Sequence, residues 1–123
     1  MEFDTKIVVV LRDDLAVWQK ANVTAFLVSG IATVPGVVGK PYVDGSAVEY
    51  LPMFAQPVLV YGADAAGLRR AYERARARDV QLAVYTYELF ATGHDDANRA
   101  AVAAVPSEEL DLVGIGAQSR SLG

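Results

Sequence analysis

Two short polar clusters interrupt a largely apolar chain, and they carry the residue types that could do chemistry. The first, Arg12-Asp13-Asp14, directly follows the run Ile7-Val8-Val9-Val10-Leu11. In open α/β sheets, ligands bind beyond the carboxyl ends of strands. Two adjacent acids there can hold a hard cation or position a substrate amine. The plainer reading is one helix cap and one surface charge paired with Arg12. The second cluster is Thr86-Tyr87-Glu88 followed by Thr92-Gly93-His94-Asp95-Asp96-Ala97-Asn98. His94 is the only histidine, the residue type suited to proton transfer near neutral pH. Beside Asp95 or Glu88 it could act as a general base. Thr92 with Asp95 three residues on also fits a capping box, which would leave His94 in an exposed first turn. The free amides of such a helix start could instead receive an anion. Thr86, like Asp14, leaves the carboxyl end of a strand, so the two clusters can converge.

Asn22 is the third candidate. An amide on an otherwise apolar helix needs a hydrogen-bonding partner. It either fastens its helix to the loop from Pro52 to Gln56 or lines a pocket, and Gln56 is similarly placed. Trp18 and Phe26 read as core rather than as ligand stackers. The working site is therefore His94, Asp14 and Glu88 in catalytic roles, with Asp13, Asn22, Thr86 and Asn98 binding a ligand.

Positioning these groups falls to alternating strands and helices. The β-branched run up to Leu11 is continuous, as in a strand covered on both faces. Asp13 or Asp14 would cap a helix from about Leu15 to Ala32, which looks apolar nearly all round and hence buried. Glycines and Pro35 end it, and a loop with a short strand at Val48 to Leu51 follows. Pro57 to Tyr61 is a second strand, with proline tolerable at its start. Asp64 caps an amphipathic helix whose inward stripe is Leu68, Ala71, Tyr72 and Ala75. Arg69, Arg70, Arg74, Arg76 and Arg78 face outward, read as a solvated face. Gln81 to Tyr85 is a third strand, and a helical turn from Thr86 to Thr92 precedes an alanine-rich helix reaching Ala104. Leu110 to Ala117 is the last strand, with a frayed tail from Gln118 to Gly123.

Composition narrows the function classes. The 123 residues are 53% hydrophobic and 21% charged, a balance that supports one packed core in a single domain over 1–123. There is no cysteine, which removes disulfides and thiolate chemistry. With one histidine, a zinc site is disfavoured; no metal and no cofactor is expected. The start, Met1-Glu2-Phe3-Asp4, lacks the basic and apolar regions of a signal peptide, and no run is long enough to span a bilayer. A cytoplasmic location away from membranes is the expectation. A net charge of -4 argues against a nucleic-acid partner. No phosphate-cradling glycine loop with lysine, Rossmann fingerprint or Gly-x-Ser-x-Gly elbow is present.

Phe3 to Lys6, Arg12 to Leu15, and Trp18-Gln19-Lys20 with Asn22 to Phe26 together resemble a bacterial family of unknown function, DUF2000. Tyr50 to Met53, Gln56-Pro57-Val58, and Tyr85-Thr86 through Glu88 to Asp95 with Asn98 fit it too. The resemblance covers nearly the whole chain. It implies the fold of the peptidyl-tRNA hydrolase 2 superfamily: a three-layer α-β-α domain with a mixed four-stranded sheet, commonly a homodimer. Arg12, Asp14 and Leu15 match the hydrolases of that superfamily. Lys20-Ala21 stands where they carry Gly-Lys, Ala25 where they carry glutamine, and Thr86 near their catalytic aspartate. Three readings follow: a small-molecule binding domain or enzyme with its pocket at the strand ends, a divergent hydrolase, or a non-enzymatic dimerising module.

Overall fold

In a computed structural model, residues 5–120 are described. The order is β1 (Thr5–Arg12), α1 (Val17–Ile31), β2 (Tyr42–Val43), β3 (Glu49–Tyr50), β4 (Val58–Ala63), α2 (Ala65–Ala77) and β5 (Ala83–Thr86). A short 3₁₀ turn (Tyr87–Phe90), α3 (Asp95–Ala103), a second 3₁₀ turn (Ser107–Glu109) and β6 (Leu112–Arg120) complete it. The main sheet has the order β4-β1-β6-β5. β1 runs parallel to β4 and antiparallel to β6, which is antiparallel to β5. This is the expected mixed four-stranded sheet with helices on both faces. β2 and β3 form a separate hairpin, where only β3 was anticipated.

The continuous apolar run of β1 is explained by the two faces it serves. Ile7, Val9 and Leu11 are buried on the α1 side, and Val10 packs with the core under α2. α1 contributes the row Val23, Leu27 and Ile31 to that first core. On the other side, Leu68 and Tyr72 of α2 pack with Leu110, Leu112 and Ile115, joined by Val102 and Val105 from the α3 region. Asp64 caps α2 as expected, its Oδ1 accepting the Gly67 N–H at 2.7 Å.

Several expectations change. α1 is not buried all round: Val17, Trp18 and Phe26 are exposed, because the sheet receives only one row of its side chains. Neither Asp13 nor Asp14 caps it. Leu15 turns into the core, α1 starts two residues later, and Gln19 Oε1 accepts the Ala16 N–H at 2.9 Å. Arg69 does not face outward, since its guanidinium donates to the carbonyls of Ser107 and Leu110 and lies over the Tyr72 ring. The anticipated frayed tail begins inside β6, with Gln118 and Ser119 paired to Ile7 and Lys6; 121–123, like Phe3 and Asp4, lie outside the described residues.

The fit of α1 to the sheet rests on β6. A Cβ at Gly114 would fall 2.7 Å from Val23 Cγ1 and 3.0 Å from Leu27 Cδ1. At Gly116 the nearest contact would be Leu27 Cβ at 3.3 Å. Replacing a strand glycine by alanine ordinarily gains about 0.5–1 kcal/mol from reduced backbone entropy loss. At Gly114 overpacking, at about 1–3 kcal/mol, outweighs that gain. Gly114→Ala is therefore expected to lower the urea midpoint, and Gly116→Ala to lower it less or leave it unchanged. An unchanged midpoint for Gly114→Ala would refute this close fit.

Candidate functional site

The cleft that gathers three of the seven candidate residues lies at the β5 edge, between α1 and the segment from the first 3₁₀ turn into α3. Its volume is about 490 Å3, within the range of small-molecule pockets. Trp18, Asn22 and Phe26 supply one wall; four-residue spacing stacks them along one row of the helix. Tyr85 and Phe90 supply aromatic surface from β5 and the turn, and Thr92, His94, Asp95 and Asn98 the opposite rim. The rings form a connected series. Trp18 lies 5.9 Å from Phe90 edge-on, Phe90 lies 5.2 Å from Tyr85, and Tyr85 lies 5.9 Å from Phe26. These are ordinary separations for aromatic pairs.

The polar groups are held by local structure. His94, not Thr92, is the N-cap of α3, and its Nδ1 accepts the Ala97 N–H at 3.2 Å. Gly93 puts His94 one residue from the helix, which displaces Thr92 from the capping position. The Thr92 hydroxyl instead donates to Asn98 Oδ1 and lies 3.0 Å from the Leu89 carbonyl oxygen. Asn22 Nδ2 donates to the Tyr85 hydroxyl at 3.4 Å. That is the partner the helix amide required; the bond does not run to the loop of Pro52 to Gln56. Gln56 accepts from Gln118 Nε2 at 3.2 Å, tying that loop to β6. Trp18 and Phe26, expected in the core, are half or more exposed along the cleft.

The first acidic cluster stands apart. Asp14 accepts from Arg12 Nε at 2.7 Å, and Arg12 Nη1 donates to Asp111 at 3.2 Å. Arg12 also lies over the Tyr87 ring. It thus joins the ends of β1 and β6 to the turn after β5. The Asp14 hydrogen bond raises the guanidinium pKa, against the opposing effect of burial. Neither Asp13 nor Asp14 lines the cleft, and Glu88 is exposed outside it. Thr86 is buried behind it, its hydroxyl without a partner among the described residues. The structure therefore unites Asn22, His94 and Asn98, and separates them from Asp13, Asp14, Thr86 and Glu88. Among the described residues no three acids or histidines stand close enough to hold a metal ion. The aromatic wall was missed by sequence reasoning, although the Trp18, Asn22, Phe26 spacing was its available signal. Another concavity, of about 460 Å3 near Gly30 and Gln81, has no aromatic residue in its lining among the described residues.

Burial pushes the Tyr85 phenol up from its ordinary range, while the bond from Asn22 acts the other way. A raised native pKa means that the neutral phenol is favoured by folding. Its contribution is fully present below the unfolded value, about 10, and is lost as pH rises through the native value. Tyr85→Phe is expected to lose less stability than wild type on titration into that alkaline window. Parallel loss in both proteins, followed by denaturant midpoints, would contradict this.

No helix among the described residues is long and apolar enough to cross a membrane. No curated protein matches the chain. A solved structure of a protein of unknown function from Agrobacterium tumefaciens is 46% identical, with a TM-score of 0.92 over 97% of this chain and 89% of that one. The family model for DUF2000, a protein of unknown function, matches residues 5–120. On that match and the shared fold, the chain belongs to the DUF2000 family.

Proposed function

We propose that this protein binds a small molecule in the cleft between α1 and the start of α3. The observation that carries the reading is the convergence of four aromatic rings with Asn22, His94 and Asn98 in one open concavity. Apolar walls with a few convergent polar groups are what small-molecule sites present. Asn22, His94 and Asn98 are the residues assigned to the ligand, with Trp18 and Phe26 as flanking surfaces. Trp18, the chain's single tryptophan, reports occupancy directly. A flat ligand is expected to shift its emission and raise the melting temperature, as binding to the native state must. Asn22→Ala is expected to weaken that ligand by about 0.5–1.5 kcal/mol, the worth of one hydrogen bond. A broad set of flat polar compounds that changes neither signal would refute the assignment.

A catalytic role fits this geometry less well, because Asp14 and Glu88 lie outside the cleft and His94 Nδ1 is engaged in capping. The divergent-hydrolase alternative, with a peptidyl-tRNA hydrolase 2-like fold, draws its support from Arg12, Asp14 and Leu15 at the end of β1. It requires peptidyl-tRNA turnover that falls in Asp14→Ala and His94→Ala; an inactive wild type eliminates it.

A homodimer has its own support. Most exposed large apolar residues fall between Val38 and Tyr61, including Leu51, Met53, Val58 and Val60. β4 is an edge strand with no charged residue, and such edges readily pair with another chain. Two β4 edges related by a two-fold axis would extend the sheet across both copies. Val60→Lys is then expected to convert a dimer to a folded monomer, read by light scattering and circular dichroism. A monomeric wild type at micromolar concentration would exclude it.

A further inference from the structure

The cleft's own hydrogen bonds restrict what can occupy it. Asn98 Oδ1 is taken by the Thr92 hydroxyl, which leaves the Asn98 amide N–H groups uncommitted. His94 Nδ1 is taken by the Ala97 N–H, so the ring proton sits on Nε2 as a donor. The Tyr85 hydroxyl accepts from Asn22 Nδ2, and its own hydrogen is available to donate. Three side chains therefore offer donors, while Asn22 Oδ1 is the matching acceptor.

Charge adds a second restriction. Among the described residues no lysine or arginine lines the cleft, and the one acidic side chain there is Asp95. Arg99, four residues after Asp95, is engaged in an ion pair with it. The start of α3 would ordinarily attract an anion through its dipole. Here Asp95 and Asp96 already occupy its first turn, and His94 takes the Ala97 N–H. A phosphate or carboxylate entering this rim would meet like charge without a cationic partner.

Resting on the small-molecule reading above, we propose that the ligand is an uncharged flat heterocycle whose edge carries carbonyl or ring-nitrogen acceptors, the class of an oxopurine base or its nucleoside. The ring lies against the aromatic wall formed by Trp18, Phe90, Tyr85 and Phe26. Its acceptor edge meets Asn98, His94 and Tyr85. The phosphorylated counterpart is disfavoured by Asp95, with no lysine or arginine among the described residues that line the cleft.

Calorimetric titration of the wild-type protein with hypoxanthine, inosine, inosine 5′-monophosphate and naphthalene-2-methanol separates these features. The base and nucleoside are expected to bind with similar affinity, and the monophosphate and the naphthalene at least tenfold more weakly. Asn98→Asp keeps the acceptor for Thr92 but removes the amide donor, and is expected to weaken hypoxanthine at least tenfold without lowering the melting temperature of the free protein. Asp95→Asn is expected to recover part of the monophosphate binding and leave the base unaffected. A monophosphate that binds as tightly as the nucleoside overturns the charge argument. A naphthalene that binds as tightly as the base overturns the donor argument, with the cleft itself still standing as a site. If none of the four binds and a wider set of flat compounds also fails, the small-molecule reading falls with this one.

Discussion

The approach of α1 to β6 is the constraint on which the rest of this molecule turns. Gly114 and Gly116 leave two positions of a central strand without side chains where α1 packs on it, and Val23 and Leu27 fill that space beside Val113. A helix seated this closely cannot roll without driving its own side chains into the strand backbone. The row Val23, Leu27 and Ile31 is thereby locked inward. The neighbouring row, Trp18, Asn22 and Phe26, is locked one step around the helix, toward the β5 edge. The wall of the cleft is a geometric consequence of two glycines about ninety residues away in sequence.

The opposite rim depends on how short β5 is. Four residues long, it ends in a register irregularity against β6 between Tyr85 and Thr86. The chain then leaves the sheet as a 3₁₀ turn and wraps around the edge. Arg12 anchors that departure through Asp14, Asp111 and the face of Tyr87. Phe90 is consequently placed against both Trp18 and Tyr85, linking the turn to the two other walls. The acidic cluster after β1 thus serves the cleft at one remove, by fixing the turn that carries its aromatic surface.

The four strands of the main sheet and α2 were legible because each has a local signature, while the mixed pairing of those strands was available only from the family resemblance. β1 is a continuous β-branched run, and α2 has a cap, an apolar stripe and a charged face. The face that α1 buries was not legible. Its side chains are apolar nearly all round, so periodicity selects no direction; the selection comes from β6 glycines that no local pattern connects to it. The same reason hid the aromatic wall, since Trp18 and Phe26 look like core residues until the buried row is known. Asp13 and Asp14 misled in a different way. The expected pair with Arg12 forms at Asp14, but neither acid caps α1 or reaches the cleft. Thr92-Gly93-His94-Asp95 located the start of α3 to within two residues, and only the identity of its cap was missed.

His94 and Asn98 had seemed to pose a choice between a structural helix start and a binding site. Their atoms show why the choice was poorly framed. An imidazole has two nitrogens, and an amide has an oxygen and a nitrogen. His94 uses Nδ1 on the Ala97 N–H, and Asn98 uses Oδ1 on the Thr92 hydroxyl. Each bond fixes the orientation of its side chain and leaves the remaining polar atom uncommitted. A donor held in place before a ligand arrives loses little further freedom on binding, which lowers the cost of association. Capping is therefore part of how this rim would recognise a ligand, since the bonds that start α3 also decide which polar atoms remain for the cleft.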